Sequence, residues 1–597
     1  MKNNKKNDLW TLKRIKRLPK RADGLKPYMV YAYTFRSLLE CASSRYQNRL
    51  ALSVWQDEAS EVSYRELGYK CRNFGLFLLS RGYRKGDKVL LMGESCPTWM
   101  VAYLGLTSVG LTAVPVLPEF STKDVQNIID ESGVKGCIVN VKHFEQCYQG
   151  HEQLDFIRLE DLFLIKPENL DGTREGFQEA PGTSLTEAKP EKGWEKVWQE
   201  SAPDEEDLAS LIFTSGTTGK SKGVMLTHKN LVWNIDVCCV NFFKTKPGMK
   251  ALSILPMSHV YEFTTQQMLG MLCGFSIFYL GKPPAPTILM KAMQEIHPNV
   301  IMTVPLLIEK VYQSSVGPVL KNPKLKFWLH WKPSRHFICR AAGRKIKLAM
   351  GGKIKFFGIG GSALDPTVER FLYDAKFPYA QGYGLTETCP MIAGHGPYPK
   401  CHHLGFLGPV LEHETVKIDN PDSKGVGEIL VKGPNVFKGY FHNEELTRES
   451  FTPDGFFRTG DLGVMKRGRL GIRGRTKTMI LGSGGENIYP EAIESMINNI
   501  PFVSESLVIA EDGGLLALIK LDMESYAQSM QISLDEAKIS ARKYLEGLKK
   551  TVNKDLASFS KISDVELQEK PFERTPTMKI KRFLYERTGK KKDDQRK

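Results

Sequence analysis

Residues 214–228 read TSGTTGKSKGVMLTH, and how this run is understood decides the fold. Gly219-Lys220-Ser221 has the form of the end of a nucleotide-binding P-loop. That loop requires Gly, four residues and then Gly-Lys-Ser/Thr, so that successive N–H groups curl around a phosphate. Thr214 stands where the pattern needs its first glycine, which counts against a P-loop phosphohydrolase or nucleotide switch. The chemistry of a polyphosphate cradle nevertheless remains. Gly216, Gly219 and Gly223 allow close backbone approach, Thr214, Ser215, Thr217, Thr218 and Ser221 offer hydroxyls, and Lys220 and Lys222 bring charge. An ordinary polar loop is the alternative that composition alone leaves open.

Upstream of this loop, LASLIF (residues 208–213) reads as an apolar strand feeding it. Similar β-rich runs alternate with helical patterns between about Val89 and Ile301, which argues for α/β layers built on parallel sheets. The uncharged run Ser95–Pro118 is long enough to span a bilayer, but it is broken by Pro97, Gly105, Gly110 and Pro115. It reads as a buried helix capped by Ser95, with Pro97 in its first turn, followed by a short buried strand. Residues 167–207, with twelve acidic and four basic side chains, read as a flexible surface connection. Short alternating strands over Thr415–Val431 predict a small antiparallel subdomain. After GRTKTMI the pattern resets to a helix at Pro490–Asn499, strands over Ser506–Leu521 and a long amphipathic helix near Leu534–Asn553.

At 597 residues the chain is too long for one core. The expected division is a basic arm (1–26), a large domain (27–474) and a small C-terminal domain with a basic tail (475–597), with the boundary at Gly474–Thr478. The net charge of +16 is concentrated at the ends: residues 1–26 carry +8 and residues 579–597 carry +6, leaving about +2 elsewhere. A nucleic-acid groove needs basic residues arrayed over a folded face, so nucleic acid is not an expected partner. Basic termini with interspersed Leu9, Trp10, Leu12, Ile15 and Leu18 suit an anionic membrane surface, or are simply solvated. The eleven cysteines show no C-x-x-C pair and, with no signal-peptide pattern, point to a reducing cytoplasmic setting, with peripheral contact at the cytoplasmic membrane face. The twelve histidines form no metal pattern.

The loop has company further on. GGSAL (360–364), QGYGLTET (381–388), GEILVKGPNVFKGYF with DGFFRTGDLG, GRTKTMILGSGGENIYPEAIE and RTPTMKIKR follow in order. Together with the opening run they resemble the motifs of the adenylate-forming superfamily, which comprises the acyl-CoA synthetases, luciferases and peptide-synthetase adenylation domains. LPMSHVYE, TVPLLIEKVY and FFGIGGSALDPTVERFL most resemble the bacterial long-chain fatty-acid–CoA ligases. Ser221 replaces the usual proline of the loop, and Thr577-Met578-Lys579 replaces the usual Ser-Gly-Lys.

The resemblance implies a large layered α/β domain with a small antiparallel, barrel-like subdomain and a mobile α+β C-terminal domain. It implies ATP, Mg²⁺ and CoA as cofactors and a fatty acid as substrate, with an acyl-carrier protein as the alternative thiol acceptor. Thr214, Ser215, Gly216, Thr217, Thr218, Gly219 and Lys222 then bind phosphates, and Gly361, Gln381, Gly382 and Tyr383 form the adenine pocket. Asp461 takes the ribose and Arg475 the ribose or phosphate, Glu387 holds Mg²⁺, Thr386 bonds the α-phosphate and Lys579 bridges acid and phosphate, with Lys581 as a lesser candidate. Lys477 marks the hinge, Gly484 and Gly485 line the thiol tunnel, and His259 falls at a pocket gate. Trp233, Val260, Phe263 and residues near Gly358–Gly360 are expected to build the acyl pocket.

These assignments agree with the chemistry required. A carboxylate is a poor electrophile and must first become a mixed anhydride with AMP. It already bears the attacking charge, so no general base is needed. The requirement is neutralisation of two anions that must meet around a pentavalent phosphorus.

Overall fold

The computed structural model describes residues 25, 28–167, 170, 193–215, 221–320, 325–481, 486–511, 514–575 and 579–587. The alternating β and helical runs become two layered sheets. The first has eight strands in the order 391–394, 379–384, 356–359, 300–303, 250–253, 276–279, 50–54 and 57–63. Its six central strands are parallel and only the outermost pairings are antiparallel. The second has seven, in the order 439–440, 221–227, 208–215, 112–116, 88–92, 136–139 and 155–158, of which the last five are parallel.

Helices Phe35–Tyr46, Pro97–Ser108 and His228–Asn241 contribute to a shared core that includes residues of both sheets, such as Leu91 and Ala113 from one and Ile277 and Ala380 from the other. Pro97–Ser108 is apolar on every side because every side is covered: eleven of its twelve residues are buried. The uncharged run is thus a core helix followed by the strand Thr112–Val116, as its breaks predict. The cap differs from expectation. Cys96, not Ser95, precedes the helix, because the Ser95 hydroxyl accepts from Met257 N at 3.1 Å and donates to Leu255 O, tying this turn to the neighbouring sheet.

Thr415–Asp419, Gly427–Lys432, Phe457–Lys466 and Arg469–Arg475 form the antiparallel subdomain as a four-stranded sheet. Beyond it, helix Pro490–Asn498, strands Val503–Glu511, Gly514–Leu521 and Ile562–Leu567, and helix Leu534–Asn553 enclose a separate small core around Ile493, Ile497, Val508, Ile519 and Leu545. The acidic connection is not wholly loop: residues 194–200 form a helix whose Trp198 is buried beneath Arg36, 3.9 Å from the ring centroid, and Arg72. Amphipathic spacing could not show this, since the contact is made by one indole and two guanidinium groups. The basic arm, apart from Leu25, and the terminal run 588–597 lie outside the described residues.

Candidate active site

The strand Leu208–Ser215 does not lead into a helix, as a P-loop strand would. It returns antiparallel as Ser221–Thr227, in register Thr214↔Lys222 and Ser215↔Ser221, and the helix begins only at His228. The two strands thus form a hairpin, and Gly216, Thr217, Thr218, Gly219 and Lys220 between them lie outside the described residues. Gly439–Tyr440 adds a third antiparallel strand, with Tyr440 opposite Val224.

Beside this hairpin, the strand Tyr379–Gly384 carries Gln381, Gly382 and Tyr383 to a turn over Thr386–Thr388, and the chain returns as Met391–Gly394. The turn is held from within and from outside. The Thr388 hydroxyl donates to Pro390 O at 2.7 Å and accepts from Leu385 N at 3.0 Å. Buried Asn435 donates to Thr388 O and Met391 O, both at 3.0 Å, and buried Asn234 donates to Met391 O at 2.8 Å. A Cβ at Gly384 would stand 1.4 Å from Pro390 O, so only glycine allows the two arms to close.

This closure sets the charged groups. Glu387 accepts a 2.9 Å hydrogen bond on Oε1 from the Tyr440 hydroxyl, and Lys222 lies over the Tyr440 ring, 5.3 Å from its centroid. Burial lowers the Lys222 pKa, nearby Lys477 lowers it further and Glu387 opposes both. Lys477 therefore lies near enough to the hairpin for its charge to be felt at Lys222.

A second group forms where the subdomain meets the turn. Asp461 and Arg475 are paired across adjacent strands, with Arg475 Nε 2.7 Å from Asp461 Oδ1. The Tyr383 hydroxyl donates to Asp461 Oδ2 at 2.8 Å, and the phenol is held strongly un-ionised by burial and then by that carboxylate. The three residues form one bridge in which Tyr383 and Asp461 are buried and Arg475 is exposed, and Asp461 keeps further lone pairs as an acceptor. The Tyr383 ring packs with Ile392, Ala393, Ile429, Val431 and Leu470 and is 9% exposed, a narrow face for an adenine. Gly361 turns the chain after the neighbouring strand with φ +86°, in the left-handed region.

Lys579 arrives from the far end of the sequence. Its backbone is pinned to Thr575, with Thr575 N donating to Lys579 O at 2.8 Å and Lys579 N donating to the Thr575 hydroxyl at 3.2 Å. The side chain keeps access to solvent. Its pKa is nonetheless lowered, first by the protein crowded around it and then by Arg475, while Asp461 and Glu387 work to keep it charged. His259 feels it too: burial and Lys579 bring that imidazole down to about 4, so it is neutral at pH 7, and its Nδ1 accepts from Tyr261 N. Lys579 thus shares the electrostatic field of Asp461, Glu387 and Arg475. Lys581 is tied instead through its backbone to Glu573 O. Gly484 and Gly485 lie outside the described residues.

Behind the turn runs a narrow apolar cavity of about 60 Å³ between the first sheet and helix His228–Asn241. Cys239, Phe242, Tyr261, Met302, Gly358 and Gly382 are among its walls. Of the expected acyl-pocket residues, Gly358 and Ile359 line it, whereas Trp233, Val260 and Phe263 do not. Phe263 instead packs on Tyr103, Phe35 and Trp99 at 4.2, 5.8 and 5.9 Å between ring centroids, and all three expected side chains belong to the central core. Trp233 shares helix His228–Asn241 with the cavity-lining Cys238 and Cys239, and Val260 and Phe263 flank the cavity-lining Tyr261, yet none of the three reaches the cavity wall.

A family model described as AMP-binding enzyme matches residues 39–441, well over half of the chain. The chain belongs to the AMP-binding enzyme family. Among its relatives, the peroxisomal long chain acyl-CoA synthetase 7 of Arabidopsis thaliana is 30% identical over 78% of this chain and 69% of its own length. The long-chain-fatty-acid–CoA ligase FadD15 of Mycobacterium tuberculosis is 27% identical over 89% of this chain and 91% of its own. The fold is shared with O-succinylbenzoate coenzyme A synthetase from Bacillus subtilis, solved with ATP and magnesium ion. The TM-score is 0.68 at 21% identity, covering 92% of this chain and 98% of that one.

Within the family's fold, three residues around the turn escaped the sequence reading. Tyr440 lies inside a motif read for ribose binding, and only strand pairing brings it to Glu387. Asn435 and Asn234 are ordinary buried amides until the turn is seen to hang from them.

Proposed function

We propose that the protein is an ATP-dependent fatty-acid–CoA ligase acting on long-chain acids. In the first half-reaction the carboxylate attacks the α-phosphorus of ATP and pyrophosphate leaves, giving acyl-AMP. In the second, the CoA sulfur attacks the acyl carbon, the thioester forms and AMP departs with the C–O bond electrons. The single observation that carries the reading is that one strand, Tyr379–Gly384, supplies Gln381 and Gly382 to an apolar cavity and ends in the turn that bears Glu387. An acyl chain lying in the cavity would present its carboxylate to the charged groups around that turn.

In this reading the hairpin 214–222 holds the phosphates, Thr386 bonds the α-phosphate and Asp461 accepts from the ribose hydroxyls. Arg475 fixes the Asp461 carboxylate, Tyr383 fixes its other oxygen, and Lys579 neutralises the carboxylate and phosphate as they approach. Mg²⁺, when bound with ATP, would supply charge to the phosphates. A single half-buried carboxylate, Glu387, suits an ion that keeps several waters and substrate oxygens as ligands. Among the described residues there is no cluster of three or more metal-ligating side chains. Gly474–Thr478, with Lys477, is the proposed hinge between the domains 27–474 and 475–597, and Gly484 and Gly485 the proposed thiol path. Peripheral membrane contact through the basic termini belongs to the same proposal and rests on their charge. Among the described residues no helix is long and apolar enough to cross a membrane.

The test is to supply purified protein with ATP, Mg²⁺ and a graded series of fatty acids, with CoA or holo acyl-carrier protein in parallel, and to identify the products by mass spectrometry. AMP, pyrophosphate and acyl-CoA are expected. AMP with only the carrier-bound product would reassign the acceptor, and ADP with phosphate would overturn the reading.

A further inference from the structure

Most large apolar side chains of this protein are buried, but one short stretch exposes several together. Helix Lys326–His330 and the turn after it carry Phe327 at 79% exposure, Trp328 at 51% and Trp331 at 67%, and helix Lys332–Ala349 follows with Phe337 at 76% and Leu348 at 67%. Phe327 and Trp328 rest edge to face, 5.8 Å between centroids. The Ser334 hydroxyl ties the two helices by donating to Trp331 O at 3.0 Å and also to Trp328 O. The rings are therefore fixed as a group rather than scattered.

The longer helix divides cleanly into two faces. Cys339, Gly343, Ile346 and Met350 recur at helical spacing, and Cys339, Ile346 and Met350 belong to the core with Tyr312 and Phe371. Phe337, Arg340, Ala341, Arg344, Lys345 and Leu348 occupy the outward face and are exposed. Residues 326–349 contain seven Lys and Arg and no Asp or Glu. Asp374, which meets this helix from its neighbour, is buried and its Oδ2 is already engaged by Arg335 at 2.7 Å and Arg370 at 3.3 Å, with His336 3.7 Å from Oδ1.

From this juxtaposition of exposed Phe327, Trp328, Trp331 and Phe337 with Arg340, Arg344 and Lys345, we propose that residues 326–348 are a docking surface for an anionic lipid bilayer. Aromatic rings favour the headgroup level, where an apolar body and a polar edge are both satisfied, and Lys and Arg alongside them draw the surface to anionic lipid. A second copy of the chain is a poor occupant, because a two-fold contact would oppose two sets of like charges. Docking through this folded surface is distinct from contact through the termini, and it does not depend on which acid is activated.

The experiment is sedimentation of the full chain with vesicles of phosphatidylcholine alone and of phosphatidylcholine mixed equally with phosphatidylglycerol. Binding to the mixed vesicles is expected to be ~10-fold or more the stronger and to weaken with added salt. Phe327→Ser, Trp328→Ser, Trp331→Ser and Phe337→Ser combined should lose ~10-fold or more of this binding, with an unchanged circular dichroism spectrum and unchanged AMP release on a short, soluble acid. Arg340→Glu, Arg344→Glu and Lys345→Glu combined should lose the preference for the anionic vesicles. A chain lacking residues 1–26 and 588–597 should still bind. Wild-type binding by the aromatic variant, or loss of binding on removal of the termini alone, overturns the proposal. So does a wild-type dimer, seen by analytical ultracentrifugation, that ignores both vesicles and becomes monomeric in the aromatic variant.

Discussion

At the scale of single residues, the proposed site depends on like and unlike charges held close together. Lys579→Ala should lower acyl-AMP formation by ~10²–10⁴-fold while leaving thiolysis of supplied acyl-AMP near the wild-type rate, measured as two separate half-reactions. The sign of its pH dependence follows from its surroundings. The protein crowded around it and then Arg475 lower the Lys579 pKa, so the ammonium is lost at a lower pH than in an isolated lysine. The adenylation rate should therefore fall on the alkaline side below the ordinary lysine range. That limb should vanish in Lys579→Arg, whose guanidinium does not titrate there. At Gly384 the demand is steric. A methyl group directed at Pro390 O at 1.4 Å cannot be absorbed by a side-chain movement, and Gly384→Ala should lower the melting temperature by several degrees or prevent soluble expression.

At the scale of elements, the π-helical turn Phe263–Met268 stands over buried Glu262. Glu262 Oε1 accepts from Ser253, Gln266 and Gln267 at 2.7–2.9 Å, and burial pushes its pKa up to about 8. A carboxyl whose folded pKa is raised keeps a proton that the unfolded chain has already released. Its penalty is absent below the unfolded value near 4.5, grows as pH rises and is complete above about 8. Glu262→Gln should thus melt higher than wild type at pH 9, with the difference shrinking towards pH 5. A second element-scale prediction concerns docking. Asp365 caps helix Pro366–Ala375 with Oδ1, while Oδ2 accepts from Ser495 at 2.6 Å and Asn499 at 2.5 Å across to the C-terminal helix. Ser495→Ala with Asn499→Ala should slow adenylation several-fold and thiolysis less, because only the first half-reaction requires Lys579 at the site.

Elements were far more legible than contacts. Helix Leu534–Asn553 appears as expected because its stripe of Ala537, Ala541, Leu545, Leu548 and Val552 repeats at helical period and Ser533 with Glu536 closes a capping box. The order of motifs was equally readable, since chain order is what sequence records. The Tyr383–Asp461–Arg475 bridge was not, because it spans 78 residues between its first two members and depends on a strand register that composition does not encode. That Phe263 stays off the wall of the apolar cavity was hidden for the same reason, since its direction is set by packing on Phe35, Trp99 and Tyr103. The exposed basic and aromatic face was hidden by averaging, since a body of about +2 conceals a stretch with seven basic residues and no acidic one.

For the whole molecule, ligand binding should couple the two large sheets, the antiparallel subdomain and the C-terminal unit, since groups from all of them meet at one site. A non-hydrolysable acyl-AMP analogue held at ~100 times its Kd should stabilise the folded state by about 2.7 kcal/mol, read as a thermal shift of a few degrees. Lys579→Ala should reduce that shift, whereas Lys581→Ala should leave it close to wild type.

The strand Tyr379–Gly384 has a consequence for how such a protein changes over evolutionary time. It forms cavity wall at Gln381 and Gly382 and leads directly into the turn of Thr386 and Glu387, so under the proposed function a substitution there should alter which acid fits and how fast any acid reacts in a single step. The opposite wall, Cys239 and Phe242, lies on and just after a helix that carries none of the proposed reacting groups. Lineages drifting towards longer or shorter chains should accumulate their changes on that side, where variation in substrate preference is decoupled from catalytic rate.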